Sequence, residues 1–168
     1  MPDADPPDAA APPAPDAGSE PEPEPVPLAC ASDEATGPNG RCYLGIAAAL
    51  TWDAARVSCQ GRGTDWDLAS IRSSADSQFI RGLLSGEAWV GGSDTVSEET
   101  WAWVSDGFEF WQGEGAAGNA LNSAFVNWFE DEPNGSDSSD CLRLLPDSTW
   151  ADRECEEPLA YVCEGPAG

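Results

Sequence analysis

Residues Thr51–Cys59 read T-W-D-A-A-R-V-S-C. Thr51 carries the side-chain oxygen that caps a helix, and Trp52, Ala55 and Cys59 follow at i, i+3 and i+7, on one face. Gly61-Arg62-Gly63 ends the run. Downstream, S-S-A-D-S-Q-F-I-R-G-L-L reads as a second helix, with Ser73 as cap and Asp76 in its first turn. Phe79, Ile80, Leu83 and Leu84 form its apolar stripe. Upstream, Cys30 and Cys42 flank A-T-G-P-N-G, a turn between short strands.

After Gly86 the texture changes. A-W-V-G-G and T-W-A-W-V are short, aromatic and β-branched, as strands are, and C-L-R-L-L and Y-V-C add two more. Between Gly107 and Phe125 a Gly/Asn/Ala-rich stretch without clear period reads as a long loop, the kind that carries function. The order is strand, two helices, then strands with a long insertion, which makes the fold class α+β. Of the eight tryptophans, Trp52, Trp89, Trp101, Trp128 and Trp150 are expected in the core. Trp111, in the irregular stretch, is expected to face a sugar ring or a partner.

Residues 1–29 hold ten of the fifteen prolines, seven acids, no base and no aromatic residue. Such a composition cannot bury a core, so it predicts an extended, self-repelling tether ahead of a domain over residues 30–165 and a short tail at 166–168. The net charge is −24. It disfavours nucleic acid and anionic membranes, because the bases that contact phosphate are missing. The absence of histidine and lysine removes His-based catalysis, Schiff-base chemistry and His-ligated zinc. Glu130, Asp131 and Glu132 are adjacent, and adjacent residues of an extended segment point apart, unlike a glycosidase acid–base pair. Binding is expected, not catalysis.

The six cysteines contain no C-x-x-C pair, which favours three disulfides and an oxidising compartment. No run of about 20 apolar residues is present, so no direct membrane insertion is expected. No signal peptide follows Met1. The expectation is a mature chain, secreted or tethered to a cell surface, whose leader or anchor is not in this sequence.

A series of motifs now lines up. T-W-D-A-A-R-V-S-C is followed by L-A-S-I-R-S, A-W-V-G-G, W-A-W-V-S-D-G, N-W-F-E-D-E-P-N, D-C-L-R-L, W-A-D-R-E-C and Y-V-C-E. In this order, with six cysteines at matching places, the chain resembles the C-type lectin-like domains over about residues 30–165. The resemblance implies two helices with small antiparallel sheets, a long loop region and three disulfides. It pairs Cys30 with Cys42, Cys59 with Cys163, and Cys141 with Cys155.

The resemblance also gives the acidic stretch E-D-E-P-N-G-S-D-S-S-D-C, Glu130–Cys141, a role. Calcium takes six to eight oxygens. In this family the E-P-N tripeptide supplies two of them across a proline bond that is usually cis, here from Glu132 and Asn134. E-P-N, in place of Q-P-D, resembles members that favour mannose-type sugars, whose adjacent hydroxyls reach the ion directly. The remaining primary positions correspond to Ser139, usually Glu, and to Ala151 and Asp152, usually Asn and Asp. Ala151 cannot ligate through its side chain and Ser139 is a poor substitute, with Asp137 and Ser138 nearby as compensating oxygens. An auxiliary calcium site of the family maps to Asp94, Glu98 and Asp140, with Gly135 where Asp or Asn is usual. The expected function is calcium-dependent recognition of a glycan or glycoprotein through a partly degenerate site. The alternative is a protein ligand bound without calcium.

Overall fold

The computed structural model describes residues 29–135 and 138–168. The tether expected at residues 1–29, all but its last residue, and the compensating oxygen of Asp137 lie outside the described residues.

A short hairpin opens the domain, β1 (Ala35–Thr36) against β2 (Cys42–Leu50). Next come α1 (Trp52–Gln60), β3 (Asp67–Leu68) and α2 (Ser74–Arg81). Then follow β4 (Ala88–Ser93), β5 (Thr100–Trp103), β6 (Phe108–Gln112) and β7 (Asn119–Ala120). The chain closes with β8 (Cys141–Leu144), β9 (Trp150–Arg153) and β10 (Leu159–Gly165). One sheet path runs β1-β2-β10-β4-β5-β6-β7, and β8 and β9 branch from β4. β10 lies antiparallel to β2 and parallel to β4, so the last strand ties the first hairpin to the aromatic half. Ala29 N–H donates to the Gly168 carbonyl at 3.1 Å, which brings both ends of the described chain together.

Both helices start where their caps place them. Thr51 Oγ1 accepts from Ala54 N–H and Ser73 Oγ from Asp76 N–H. α1 buries Trp52, Ala55 and Cys59, the face that the spacing predicts. Trp52 Nε1–H donates to Val90 O at 2.9 Å and locks the helix onto β4. α2 is shorter than the apolar stripe suggests. It ends at Arg81, with Gly82 as its C-cap, and Leu83 and Leu84 pack on the core from beyond the helix.

Three disulfides form, Cys30–Cys42, Cys59–Cys163 and Cys141–Cys155. The second joins α1 to β10. The third staples β8 to the segment after β9.

The stretch Gly107–Phe125 is not one loop. It contains β6, β7 and a turn of 3-10 helix at Gly115–Ala117. Phe110 is buried and Phe108 exposed although they stand two apart, because the pairing of β6 with β5 shifts by one residue between Trp101 and Ala102. Trp111 is accordingly a strand residue and packs inward. Its Nε1–H donates to Gly113 O at 2.7 Å, its ring meets the Trp128 ring at 6.1 Å, and a Cβ on Gly118 would lie 2.5 Å from it. β9 is a strand that the sequence reading passes over.

The larger core cluster is aromatic. Trp103 stacks on Phe110 at 4.5 Å, and Trp150 meets Trp103 and Phe125 edge-on at 5.7 Å. Such pairs contribute about 0.5–1.5 kcal/mol each beyond area burial. Trp52, Trp89, Trp101 and Trp150 are buried as expected, and Trp103 joins them. Trp128 is partly buried against the same cluster. This aromatic block forms the floor under the acidic loop.

Candidate functional site

β8 and β9 pair antiparallel with Leu142 opposite Asp152 and Arg143 opposite Ala151. The incoming chain lies along β9. Phe129 N–H donates to Trp150 O at 2.8 Å, and Trp150 N–H to Asn127 O at 2.9 Å. This pairing delivers the E-P-N tripeptide over Asp152. The Glu132–Pro133 bond is cis. Gly115 N–H donates to Pro133 O at 2.8 Å and braces the loop from its other side.

Glu132, Asn134, Ser139 and Asp152 come together, lining an open polar pocket of about 250 Å³ with Arg143 and Arg153. Asp152 holds the loop. Its Oδ1 accepts from Asn134 N–H at 3.1 Å and its Oδ2 from Gly135 N–H at 2.5 Å. Asn134 Nδ2–H donates to Glu132 Oε1 at 3.1 Å. Glu132 Oε2 is buried and has no hydrogen-bond partner. Burial first, and then the Asp152 carboxylate beside it, push the Glu132 carboxyl up to about 7, while Arg143 pulls weakly the other way.

Glycine at 135 has a local reason. A Cβ there would lie 2.1 Å from Asp152 Oδ2 and 2.1 Å from Ser139 Cβ. The Asp or Asn that the family pattern carries at this place does not fit the loop as it stands. Ala151 is buried and offers only a methyl group.

Asp94, Glu98 and Asp140 also converge. Asp94 N–H donates to Asp140 O at 3.3 Å, and Asp94 Oδ2 accepts from Glu99 N–H at 3.1 Å. Asp94 Oδ1 is buried without a hydrogen-bond partner. Burial pushes this carboxyl up to about 7, and Glu98 and then Asp140 add to the shift. A crevice of about 10 Å³ opens here, room for about one water-sized occupant. Ser139 and Asp152 stand in its wall, so the two clusters share a boundary. Glu99 and Glu114 line the same crevice, and Arg143 sits beside Glu132. The sequence reading missed all three. The Glu98-Glu99 doublet was the available signal for one of them; Glu114 and Arg143 reach the site only through tertiary contacts.

The oxygen donors are of the type a hard cation takes, but among the described residues neither cluster brings three carboxylates within 4.8 Å of one another. Each cluster holds a buried carboxylate oxygen without a partner, and buried polar atoms are rarely left so. Each also holds an acid raised toward neutral pH by burial and by neighbouring acids, a cost that a divalent ion removes. The primary cluster is short of oxygens at Ser139 and Ala151, so water would complete it.

The sequence model of the Lectin C-type domain family matches residues 48–165. A type-2 ice-structuring protein of Brachyopsis segaliensis is 28% identical over 125 residues, covering 73% of this chain and 65% of that protein. The hepatic lectin of Gallus gallus is 30% identical over 129 residues, covering 76% of this chain and 56% of the lectin. Among solved structures, a calcium-independent type II antifreeze protein superimposes with a TM-score of 0.69 at 27% identity, over 84% of this chain and 97% of its own. The chain thus spans 65% or less of the length of these two sequence relatives. Lectins and antifreeze proteins bind and do not catalyse. With the family match over residues 48–165, the two capped helices and the three disulfides, the chain belongs to the C-type lectin domain family.

Proposed function

We propose that the chain is a calcium-dependent carbohydrate-binding module whose primary site is built from Glu132, Asn134 and Asp152, with a minor part for Ser139. The observation that carries this reading is the buried, unpartnered Glu132 Oε2 next to a second carboxylate. Calcium bound there would supply a Lewis-acidic point that adjacent sugar hydroxyls can reach. On this reading Glu132 would accept a hydrogen bond from one hydroxyl, and Asn134 would donate one to its neighbour. Asp152 keeps both at the right height by holding the backbone of residues 134 and 135. The E-P-N order favours mannose-type sugars. Asp94, Glu98 and Asp140 would hold an auxiliary ion that stiffens the loop from beneath. Three disulfides and the acidic composition suit a secreted or surface-tethered module, and among the described residues no helix is long and apolar enough to cross a membrane.

The test is calcium titration by calorimetry into chelator-stripped protein, beside the Glu132→Ala/Asn134→Ala double variant. Saturable heat lost in the variant, followed by mannose binding that a chelator abolishes, is the expected result. The same weak heat in both proteins rejects the primary site.

One observation favours a second reading. Asp152 already accepts from two backbone N–H groups, so the loop holds its shape through protein contacts alone, and Ala151 and Ser139 subtract ligands. On this reading the surface binds a protein or another non-sugar ligand without calcium, as the relation to a calcium-independent antifreeze protein allows. A blank glycan array with calcium present, together with chelator-resistant binding of a partner or of ice, would select it.

A further inference from the structure

A cleft of about 650 Å³ lies away from the acidic loop and shares no lining residue with its pocket. β5 separates the two. Glu98 precedes the strand on the acidic side and Ser105 follows it in the cleft, with the four residues of β5, about 13 Å at strand rise, between them. Three of the seven basic side chains of the protein, Arg41, Arg56 and Arg72, line this cleft.

Each guanidinium is held in advance. Arg41 pairs with Glu164 at 2.6 Å, Arg56 with Asp67 at 3.0 Å and Arg72 with Asp106 at 2.8 Å. Glu164 and Asp67 are buried and are themselves fixed by backbone N–H groups of Ser70 and Leu68, both at 2.8 Å. The three arginine side chains stay 33–39% exposed, so part of each fork faces the cleft. On the cleft wall the Ser70 and Ser105 hydroxyls lie 2.9 Å apart. Asp65 adds a fourth carboxylate to the lining. Three guanidinium groups therefore face four carboxylates, near balance within a chain of charge −24.

That mixture selects among ligand classes. A simple anion meets Asp65 and Asp106. A simple cation meets the arginines. A hydroxyl group both donates and accepts, so a polyhydroxylated neutral chain pairs with both sets at once. The planar groups are already oriented, which lowers the entropy cost of binding. A second crevice of about 180 Å³ continues from the first and shares Arg72 with it. Its wall includes Phe108, which is 36% exposed and carries the Arg72 guanidinium 5.2 Å above its ring. The surface passes from fixed polar groups to the part of the Phe108 ring that Arg72 leaves open, an apolar contact for the C–H groups of a sugar chain.

We infer that this paired cleft is a second carbohydrate site, independent of calcium, that takes a neutral oligosaccharide across Arg41, Arg56, Ser105, Arg72 and Phe108. It does not depend on the loop reading, because a chelator separates the two.

The full chain, in excess chelator, is titrated with four neutral hexasaccharides, namely those of mannose, maltose-type glucose, cellulose-type glucose and chitin. Calorimetry gives the affinity, and the backbone amides of Ser70 and Ser105 report the place by NMR. At least one hexasaccharide is expected to bind and to shift both amides. Ser105→Trp fills the cleft without touching an ion pair, and Arg72→Ala removes one exposed pair of small structural worth. Each is expected to weaken binding about tenfold or more, the scale of one lost charge-assisted hydrogen bond, with the urea midpoint of Arg72→Ala close to that of the parent. Glu132→Ala/Asn134→Ala is expected to bind as the parent does. The inference is overturned if all four hexasaccharides stay inert, if Ser105→Trp binds as tightly as the parent, or if the cleft takes only a peptide.

Discussion

Asp152→Asn isolates what the central carboxylate of the loop does in the metal-free protein. The two side chains have the same shape, so packing is conserved. Asp152 accepts from Asn134 N–H at 3.1 Å and from Gly135 N–H at 2.5 Å. An asparagine keeps one carbonyl and turns an amide N–H₂ toward the other backbone donor. One charge-assisted hydrogen bond is lost and one donor is left facing a donor. The first effect alone is worth about 1.5–3 kcal/mol. Against it stands a gain, since the substitution removes the negative charge that helps raise Glu132 to about 7. That gain depends on pH. At about pH 8 Glu132 is largely ionised in the parent, and removing the repulsion offsets part of the loss. At about pH 5 Glu132 is protonated in the folded state and can donate to Asp152, so there is no repulsion to relieve. The expected destabilisation is therefore about 2–3 kcal/mol at pH 5 and distinctly smaller at pH 8. Urea unfolding in excess chelator at the two pH values measures it from the midpoints at constant slope. An equal loss at both pH values, or a larger one at pH 8, would refute the coupling of the two carboxylates.

Three further outcomes follow from the same geometry. In chelator-stripped protein, Asp94 and Glu132 bind protons more tightly when folded, so their contribution is present below the ordinary carboxylate range and is lost as pH rises toward about 7. Stability should fall over that window, and saturating calcium should flatten the slope. A rise through the same window would contradict it. Gly135→Asp, which restores the residue type usual in the family, places a Cβ 2.1 Å from Asp152 Oδ2 and from Ser139 Cβ. It should cost about 1–3 kcal/mol as an overpacking change and weaken calcium binding, by calorimetry, instead of improving it. The Cys141→Ser/Cys155→Ser double variant opens a loop closed over a separation of 14 residues. A loss of about 3 kcal/mol is expected from chain entropy, read as a shift of the urea midpoint.

What the sequence shows of this fold is mostly local. The Thr51 and Ser73 caps place both helix starts, because a cap needs only its own side chain and an amide a turn away. The end of α2 is less legible. Leu83 and Leu84 continue the apolar stripe, yet Gly82 closes the helix and they reach the core from the next turn. β6 hides in a Gly-rich context because the register shift opposite Trp101 and Ala102 puts Phe108 outside and Phe110 inside, so no period of two marks it. β9 is one residue pattern, W-A-D-R, with buried positions on both faces, so no period distinguishes it. The gathering of Glu132, Asn134, Ser139 and Asp152 is legible only through the family frame. Nothing local says that residue 152 returns under residue 134. Arg143, beside Glu132, and Glu114, in the wall of the smaller crevice, carry no signal in sequence at all.

The departures from the family pattern at residues 135, 139 and 151 make physical sense as one change. A glutamate at 139 would bring another carboxylate against Asp152, which already faces Glu132. The Cβ of residue 139 comes close to the backbone of residue 135 whichever side chain follows it, and with the loop in this shape only glycine leaves room there. Glycine in turn lets its N–H approach Asp152 Oδ2, which satisfies that oxygen from the protein side. Alanine at 151 removes an amide from a buried position opposite Arg143, where it would otherwise need a partner of its own. The result is a loop held by Asp152 through two backbone amides and by Gly115 N–H on Pro133 O, while Glu132 Oε2 is buried without a hydrogen-bond partner. Protein contacts thus contribute to the form of this loop, and the buried Glu132 oxygen is the group that an ion would satisfy. Ion binding should therefore be weak and sensitive to any change at Glu132, while loss of the Asp152 carboxylate should loosen the loop with or without calcium.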